Sequence, residues 1–229
     1  MPRTKVVIAC LLTSLLLLLT LPAWGADKSK DEETIRNAAT VLQAMVGSKD
    51  VPASVLAKAD CIVIIPSLKK FAVGIGGSGG RGPMSCREGK GFAGKWSAPA
   101  MYSIGGTSAG LQIGGTASDV ILLIMSPEAV DKVLNGKVKV GTDASAAAGP
   151  GASAQASTGA ADIFTYSRTS GVFAGVSLNG ASLDPDSDAN QRLYGKDMSA
   201  RVIVTSTTVK PTAAGQQLVA LLDSKAGKK

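Results

Sequence analysis

The sequence predicts an α+β fold: a curved, glycine-rich antiparallel β-sheet or barrel-like core, packed with N- and C-terminal helices. Three observations carry that prediction. Apolar residues recur at helical spacing near both ends, and short apolar or glycine-rich runs bounded by turn residues fill the middle. The 229-residue chain also holds 27 glycines with only 4% aromatic residues. Glycine at that density inside strands signals bulges, strong curvature or close backbone approach.

The elements follow in order. Residues 1–25 have the layout of an export signal: Arg3 and Lys5, an apolar run from Val6 to Leu19, then small residues at Ala23 and Gly25. The apolar core is too short to remain as a membrane span. The expected mature chain, 26–229, is one domain with a core over about 31–205 and a C-terminal helix over about 211–225. Its expected place is the periplasm, the outer membrane or the exterior. Ser29-Lys30-Asp31-Glu32 reads as a capping box, with Ser29 as N-cap of a helix over 31–46. Ile35, Ala38, Ala39, Leu42, Met45 and Val46 form the apolar stripe of that helix. Asp31, Glu32, Glu33, Arg36 and Asn37 make the opposite face net acidic. A short helix is expected over 52–59, where Pro52 suits a first turn.

From Cys61 the pattern changes to strands, expected over 61–66, 71–80, 82–87, 91–96, 101–106, 109–115 and 120–125. Ser126-Pro127-Glu128 opens a helix that Asn135-Gly136 closes. The Ala/Gly/Ser-rich stretch 144–158 reads as a linker or a small-residue strand. Asn179-Gly180 predicts a hairpin between 172–178 and 181–183. A strand is expected over 201–208 and a closing helix over 211–225, through Leu218, Leu221 and Leu222.

Composition narrows the function. The formal charge is +7, two units of which belong to the export signal. A small positive excess suits an anionic phospholipid membrane surface. No basic run interleaved with aromatics points to nucleic acid. The chain has no histidine, which removes Ser-His-Asp and Cys-His catalysis and the usual His-containing zinc sites. No catalytic residue, cofactor or metal is expected. Cys61 and Cys86 remain after processing; in an oxidising compartment the pair reads as a disulfide sooner than a metal site, and bridged and free thiols both stay open.

Three motifs have bland readings that win. Gly74-Ile75-Gly76-Gly77-Ser78-Gly79 matches a dinucleotide loop, but no helix pattern follows to meet a pyrophosphate. Gly76-Gly77-Ser78-Gly79-Gly80 matches a nucleophile elbow, but only Lys69 or Lys70 is offered as a base. Asp184-Pro185-Asp186-Ser187-Asp188 begins like a calcium loop, yet Ala189 and Gly195 stand where glycine and a bidentate Glu are needed. It reads as a turn capping a short helix. Lys58, Lys69, Lys70, Arg81 and Arg87, with Lys90 and Lys95, cluster near strand ends and glycine-rich turns. They are the candidate headgroup ligands.

Trp96-Ser97-Ala98-Pro99, Gly110-Leu111-Gln112-Ile113-Gly114, Tyr166-Ser167-Arg168, the run from Gly171 to Gly180, Tyr194-Gly195, and Lys58-Ala59 before the 62–66 strand together resemble the SYLF lipid-binding domain family over about 31–205. The resemblance implies a non-catalytic domain that binds anionic phospholipids or phosphoinositides through a basic surface and an amphipathic N-terminal helix. Eukaryotic members are adaptors at actin patches and membranes, and some bind actin. By that analogy Ile35, Leu42 and Met45 are candidate membrane-inserting residues. This chain departs from the pattern in its acidic helix and its expected export, which favours envelope lipids as ligands. A structural or protein-interaction role without a lipid ligand is the alternative. An outer-membrane barrel fits less well, because aromatic girdles are missing.

Overall fold

The computed structural model describes residues 24–73, 75–109, 114–136, 138–148, 161–173, 178, 180–196 and 198–227. The expected export signal lies almost entirely outside them. So do Gly74 of the glycine motif, residues 110–113 and 174–177, Asn179, and most of the 144–158 stretch.

Among the described residues, nine strands make one sheet: β1 (Cys61–Val73), β2 (Ile75–Cys86), β3 (Ala100–Ala109), β4 (Gly114–Ile124), β5 (Val138–Lys139), β6 (Ala146–Ala148), β7 (Ile163–Thr169), β8 (Val172–Phe173) and β9 (Ser182–Pro185). The order is β5-β9-β3-β2-β1-β4-β7-β6, with β8 paired to β7. Every pairing is antiparallel except β6 with β7, and the sheet curls into a half-barrel. The α+β expectation, with a curved antiparallel sheet and helices at both ends, is borne out.

The continuous apolar runs have a simple cause: both faces of the sheet are buried. Val63, Ile65, Leu122 and Ile124 pack on one face with α3 (Pro127–Asn135) and α5 (Ala200–Thr205). Ile62, Ile64, Ile121 and Leu123 pack on the other with α1 (Trp24–Gly47), α2 (Ala53–Leu56), α4 (Ser187–Tyr194) and α6 (Ala213–Lys225). Among the described residues, no helix is long and apolar enough to cross a membrane.

Several expected elements take a different form. The chain is already helical at Trp24, across the expected processing point, so Ser29 lies inside α1 and not at its N-cap. A local capping signal yields when the upstream residues continue the helix. The strand expected over 71–80 contains the reversal between β1 and β2, since Val73 pairs with Ile75. The strand expected over 91–96 is a turn: Gly89, Gly91 and Phe92 have positive φ, and only the Arg87–Trp96 bridge is sheet-like. The expected 172–183 hairpin lies partly outside the described residues; Ala181 N donates to Leu178 O across its turn, while its outer ends pair with other strands, β8 with β7 and β9 with β3 and β5.

The strand expected over 201–208 is the helix α5. Ser199 Oγ accepts from Val202 N, and Ala200, Ile203 and Val204 are buried at helical spacing. That packing overrides the β-branched composition. The helix from Pro127 to Asn135 forms as expected, capped by Ser126 and closed by Gly136 at φ 84°. Asp186 caps α4, the helix-capping turn anticipated at that segment. β2 runs on as a strand to Cys86, so no helix N-terminus follows the glycine motif.

Cys61 and Cys86 are directly opposed on β1 and β2 and are joined in a disulfide, with Cα atoms 3.9 Å apart. Arg87 N donates to Asp60 O, which makes the neighbouring 60/87 pair the hydrogen-bonded one. The cysteines therefore occupy the closer, non-hydrogen-bonded type of site.

Candidate functional site

A groove of about 510 Å³ lies between α1 and the β1–β2 hairpin. Thr34 and Asn37 of α1 form one wall, Pro66, Ser67 and Lys69 of β1 the other, and Gly79, Gly80 and Arg81 of β2 the floor. The β1 wall is shaped by a bulge, visible as a register shift between Ile65 and Leu68. Ser67 sits there at φ 59° and its N–H donates to Asp119 Oδ1 at 3.0 Å. Glycine on β2 admits this bulge: a Cβ on Gly82 would lie 1.8 Å from Ile64 O. The close backbone approach anticipated from glycine density is realised there.

The candidate cations separate. Lys69 is exposed and lines the groove. Lys70 follows it directly in an unbroken stretch of strand, so it points to the opposite face. It stands across from Ser78 and Thr116, and burial lowers its pKa. Arg81 joins Lys69 in the groove, half-exposed. Its Nε donates to Asp186 at 2.6 Å and its Nη2 to Asp31 at 2.8 Å. Burial alone would depress the Arg81 pKa, but Asp186 and Asp31 outweigh it and hold the group above its ordinary value.

Arg87 sits elsewhere and is buried to 1% exposure. Its guanidinium lies 4.4 Å from the Trp96 ring centroid. It donates to the carbonyls of Ala57, Ala59, Gly94, Ala226 and Gly227. Burial lowers its pKa against the opposing pull of Asp223 and Asp60. Lys58 is exposed between two of those acceptor residues. The structure thus pairs Lys69 with Arg81 and Lys58 with Arg87, in two separate places.

Ile35, Leu42 and Met45 are fully buried, in one cluster with Leu218 and Leu222 of α6. Two acids of α1, Asp31 and Glu32, turn toward the fold as well. Asp31 is completely buried and bridges Arg81 and Arg192, the latter at 2.7 Å. Glu32 Oε2 accepts from Ala214 N at the start of α6, where a helix N-terminus favours negative charge. Sequence reading placed these acids on the helix face opposite the apolar stripe. Nothing local distinguishes an acid that will meet a distant arginine from one that will meet water. A smaller acid-flanked hollow of about 220 Å³, lined by Asp27, Asp188, Gln191 and Arg192, adjoins the same ion network. Among the described residues, no group of three or more acidic or cysteine side chains is placed to hold a metal.

The groove offers hydrogen-bond donors and positive charge on a surface, with α1 as one wall. The sequence of residues 105–225 matches a family model described as Ysc84, Las17-binding protein actin regulator. The chain belongs to the Ysc84/SYLF family. It is 36% identical over 190 residues to an SH3 domain-containing protein of Schizosaccharomyces pombe, covering 80% of this chain and 43% of that protein. It is 30% identical over 208 residues to the protein YSC84 of Saccharomyces cerevisiae, covering 88% and 43%. The human SH3 domain-containing YSC84-like protein 1 is 30% identical over 204 residues, covering 87% and 58%. The chain spans about half the length of these curated relatives.

Residues 85–99 and Tyr194 help to hold the fold together. Tyr194 OH donates to Pro99 O at 2.6 Å, Ser85 Oγ donates to Ser97 O at 2.8 Å, and Ser97 Oγ accepts from Cys86 N. Trp96 N donates to Asp223 Oδ1. These contacts tie the β2–β3 connection to α4 and α6.

Proposed function

We propose that this chain is a non-catalytic binding module that docks on anionic phospholipid surfaces of the cell envelope, with the α1–β1–β2 groove as its headgroup site. One observation carries the reading: Lys69 projects into an exposed groove with no ion-pair partner among the described residues, and Asn37, Ser67 and the free side of Arg81 stand around it. Such donors suit a phosphate group, and a cation held at a surface adds about 1 kcal/mol of attraction to an anionic membrane. Family membership supports a binding role, since the relatives are named for partners and domains and not for a reaction. The envelope setting of this proposal follows from the export expected of residues 1–25.

Flotation of the purified protein with phosphatidylcholine vesicles, with and without phosphatidylglycerol, tests it at low salt. Recovery should rise with the anionic lipid and fall with added salt as screening shortens the reach of each charge. Lys69→Glu changes the local charge by two units, so partition should weaken by roughly 2 kcal/mol, about thirtyfold. Equal recovery with neutral and anionic vesicles would refute the electrostatic docking.

A second reading is a protein-interaction module without a lipid ligand. It is favoured by the matched family description, which names Las17 binding. One stoichiometric protein captured from envelope extract, together with no vesicle recovery, would select it.

A further inference from the structure

Arg81 serves two structures at once. It lines the groove, yet it also clamps the buried carboxylate of Asp31 on α1 through Nη2 and the partly exposed carboxylate of Asp186 through Nε. Its side chain remains 40% exposed, whereas that of Asp31 is 0% exposed. No protein acceptor among the described residues takes its Nη1. An anion entering beside Lys69 therefore meets a guanidinium already committed to an internal carboxylate. We infer that Asp31 is a tethered competitor for the groove anion, so that filling the groove and docking the N-terminal half of α1 oppose each other.

The physical chain is short. A phosphate group takes the open end of the Arg81 fork, since planar donors favour two-point contact with an anion. That places a second negative charge beside Asp31 and draws the guanidinium outward. Asp31 keeps Arg192, at 2.7 Å through Nε and 3.3 Å through Nη2, but loses half its compensation while remaining buried. A buried carboxylate with less pairing is destabilised, and its least costly response is for the first turns of α1 to lift toward water. Thr34 and Asn37, one and two turns further along, also line the groove. The segment that loosens is thus continuous with the segment that senses the anion. Reciprocity requires the converse: whatever weakens the Asp31–Arg81 contact tightens the anion.

This inference rests on the groove being the anion site, and the experiment separates the two claims. Binding of inorganic phosphate, glycerol phosphate and phosphatidylglycerol vesicles is measured for the full chain and for Lys69→Glu, Asp31→Asn and Asp186→Asn. Asn at 186 retains a capping oxygen for α4, so that variant relieves Arg81 without touching α1. Amide hydrogen exchange over 27–37 is followed with and without each probe. Lys69→Glu should lose binding, and both Asn variants should bind about tenfold more tightly, within the range usual for coupled sites. Exchange over 27–37 in the unmodified chain should quicken several-fold at saturation, while α6 is unchanged.

Tightening with soluble phosphates and vesicles alike supports the coupling and assigns recognition to the phosphate group. Tightening with vesicles alone supports it and assigns recognition to the lipid surface. Binding that Lys69→Glu abolishes, but that neither Asn variant strengthens, overturns the competition and leaves the groove standing. No binding of any probe by any variant overturns both. If Asp31→Asn does not fold, Asp186→Asn and the exchange of the unmodified chain decide. Unchanged affinity together with unchanged or slower exchange rejects the inference.

Discussion

Replacing Arg87 with methionine tests the division of the basic residues into groove and scaffold. Methionine preserves much of the volume and removes the charge and all donors. Five backbone carbonyls, on Ala57, Ala59, Gly94, Ala226 and Gly227, lose their partner at once. They belong to the α2–β1 turn, the β2–β3 connection and the end of α6, so three separate segments come loose together. Charge-assisted bonds of this kind contribute about 1.5–3 kcal/mol each in isolation, but they share one guanidinium and do not add. Removal of one partner from a buried charged contact costs about 3–5 kcal/mol, and the stacking on Trp96 adds about 0.5–1 kcal/mol. A total near 4 kcal/mol should lower Tm by roughly 8 to 16 °C in a domain of this size. Thermal unfolding followed by circular dichroism reads it, with Lys58→Met as the exposed neighbour expected to move Tm little. Below its lowered Tm, Arg87→Met should partition onto anionic vesicles like the unmodified protein. A Tm within about 2 °C of the parent, or a selective loss of vesicle binding in a fully folded variant, would refute the scaffold assignment.

Gly82→Ala should be poorly tolerated, because its Cβ would fall 1.8 Å from Ile64 O at the backbone of the β1 bulge; soluble yield and chemical denaturation against Gly79→Ala, whose Cβ meets open space, check this. Reducing the Cys61–Cys86 bridge, which closes a 25-residue separation, should cost about 3 kcal/mol by loss of the restraint on the unfolded chain, measured as the denaturation midpoint with and without a strong reductant. Stability should also collapse at alkaline pH. Burial pushes the Tyr166 hydroxyl up to about 12 and raises Tyr102 and Tyr194 as well, with Glu32 adding to the effect at Tyr194. The folded state therefore holds these protons after the unfolded chain has lost them near pH 10, so the stabilisation is complete below that pH. It declines as pH rises through 10 to 12, by up to about 1.4 kcal/mol per pH unit for each tyrosine. Denaturation midpoints that stay flat from pH 9.5 to 11.5 would contradict that burial.

The helices at 24–47 and 127–135 were legible because their signals are local. Ile35, Leu42 and Met45 recur at helical spacing and are all buried, and the Ser126-Pro127 opening and Gly136 closure appear where expected. Local signals failed where tertiary contacts compete with them. Arg201-Val202-Ile203-Val204 carries β-branched residues that favour a strand, but Ser199 caps a helix and Ile203 and Val204 must both reach the same core face. The turn at 89–92 shows the opposite case: Gly89, Gly91 and Phe92 stand at positive φ where glycine-rich sequence was read as the start of a strand.

The candidate site was less visible for a related reason. Lys69 and Lys70 are neighbours in sequence, yet strand alternation sends them to opposite faces. Arg81 and Arg87 look equivalent along the chain, and only the fold decides that one borders a groove while the other is enclosed by carbonyls. Asp31 was read as part of the polar face of its helix, and its partners lie 50 and 161 residues away.

By itself, the sequence determined the class of the fold, the missing histidine chemistry and the family signature, since each is a matter of which residues occur and at what short spacing. The tertiary structure decided which charges are free. Whether an ionised side chain faces water or another ion depends on what the folded chain brings beside it. Here the bulge of β1, the glycines of β2 and the docking of α1 made that choice for Lys69, Arg81 and Asp31.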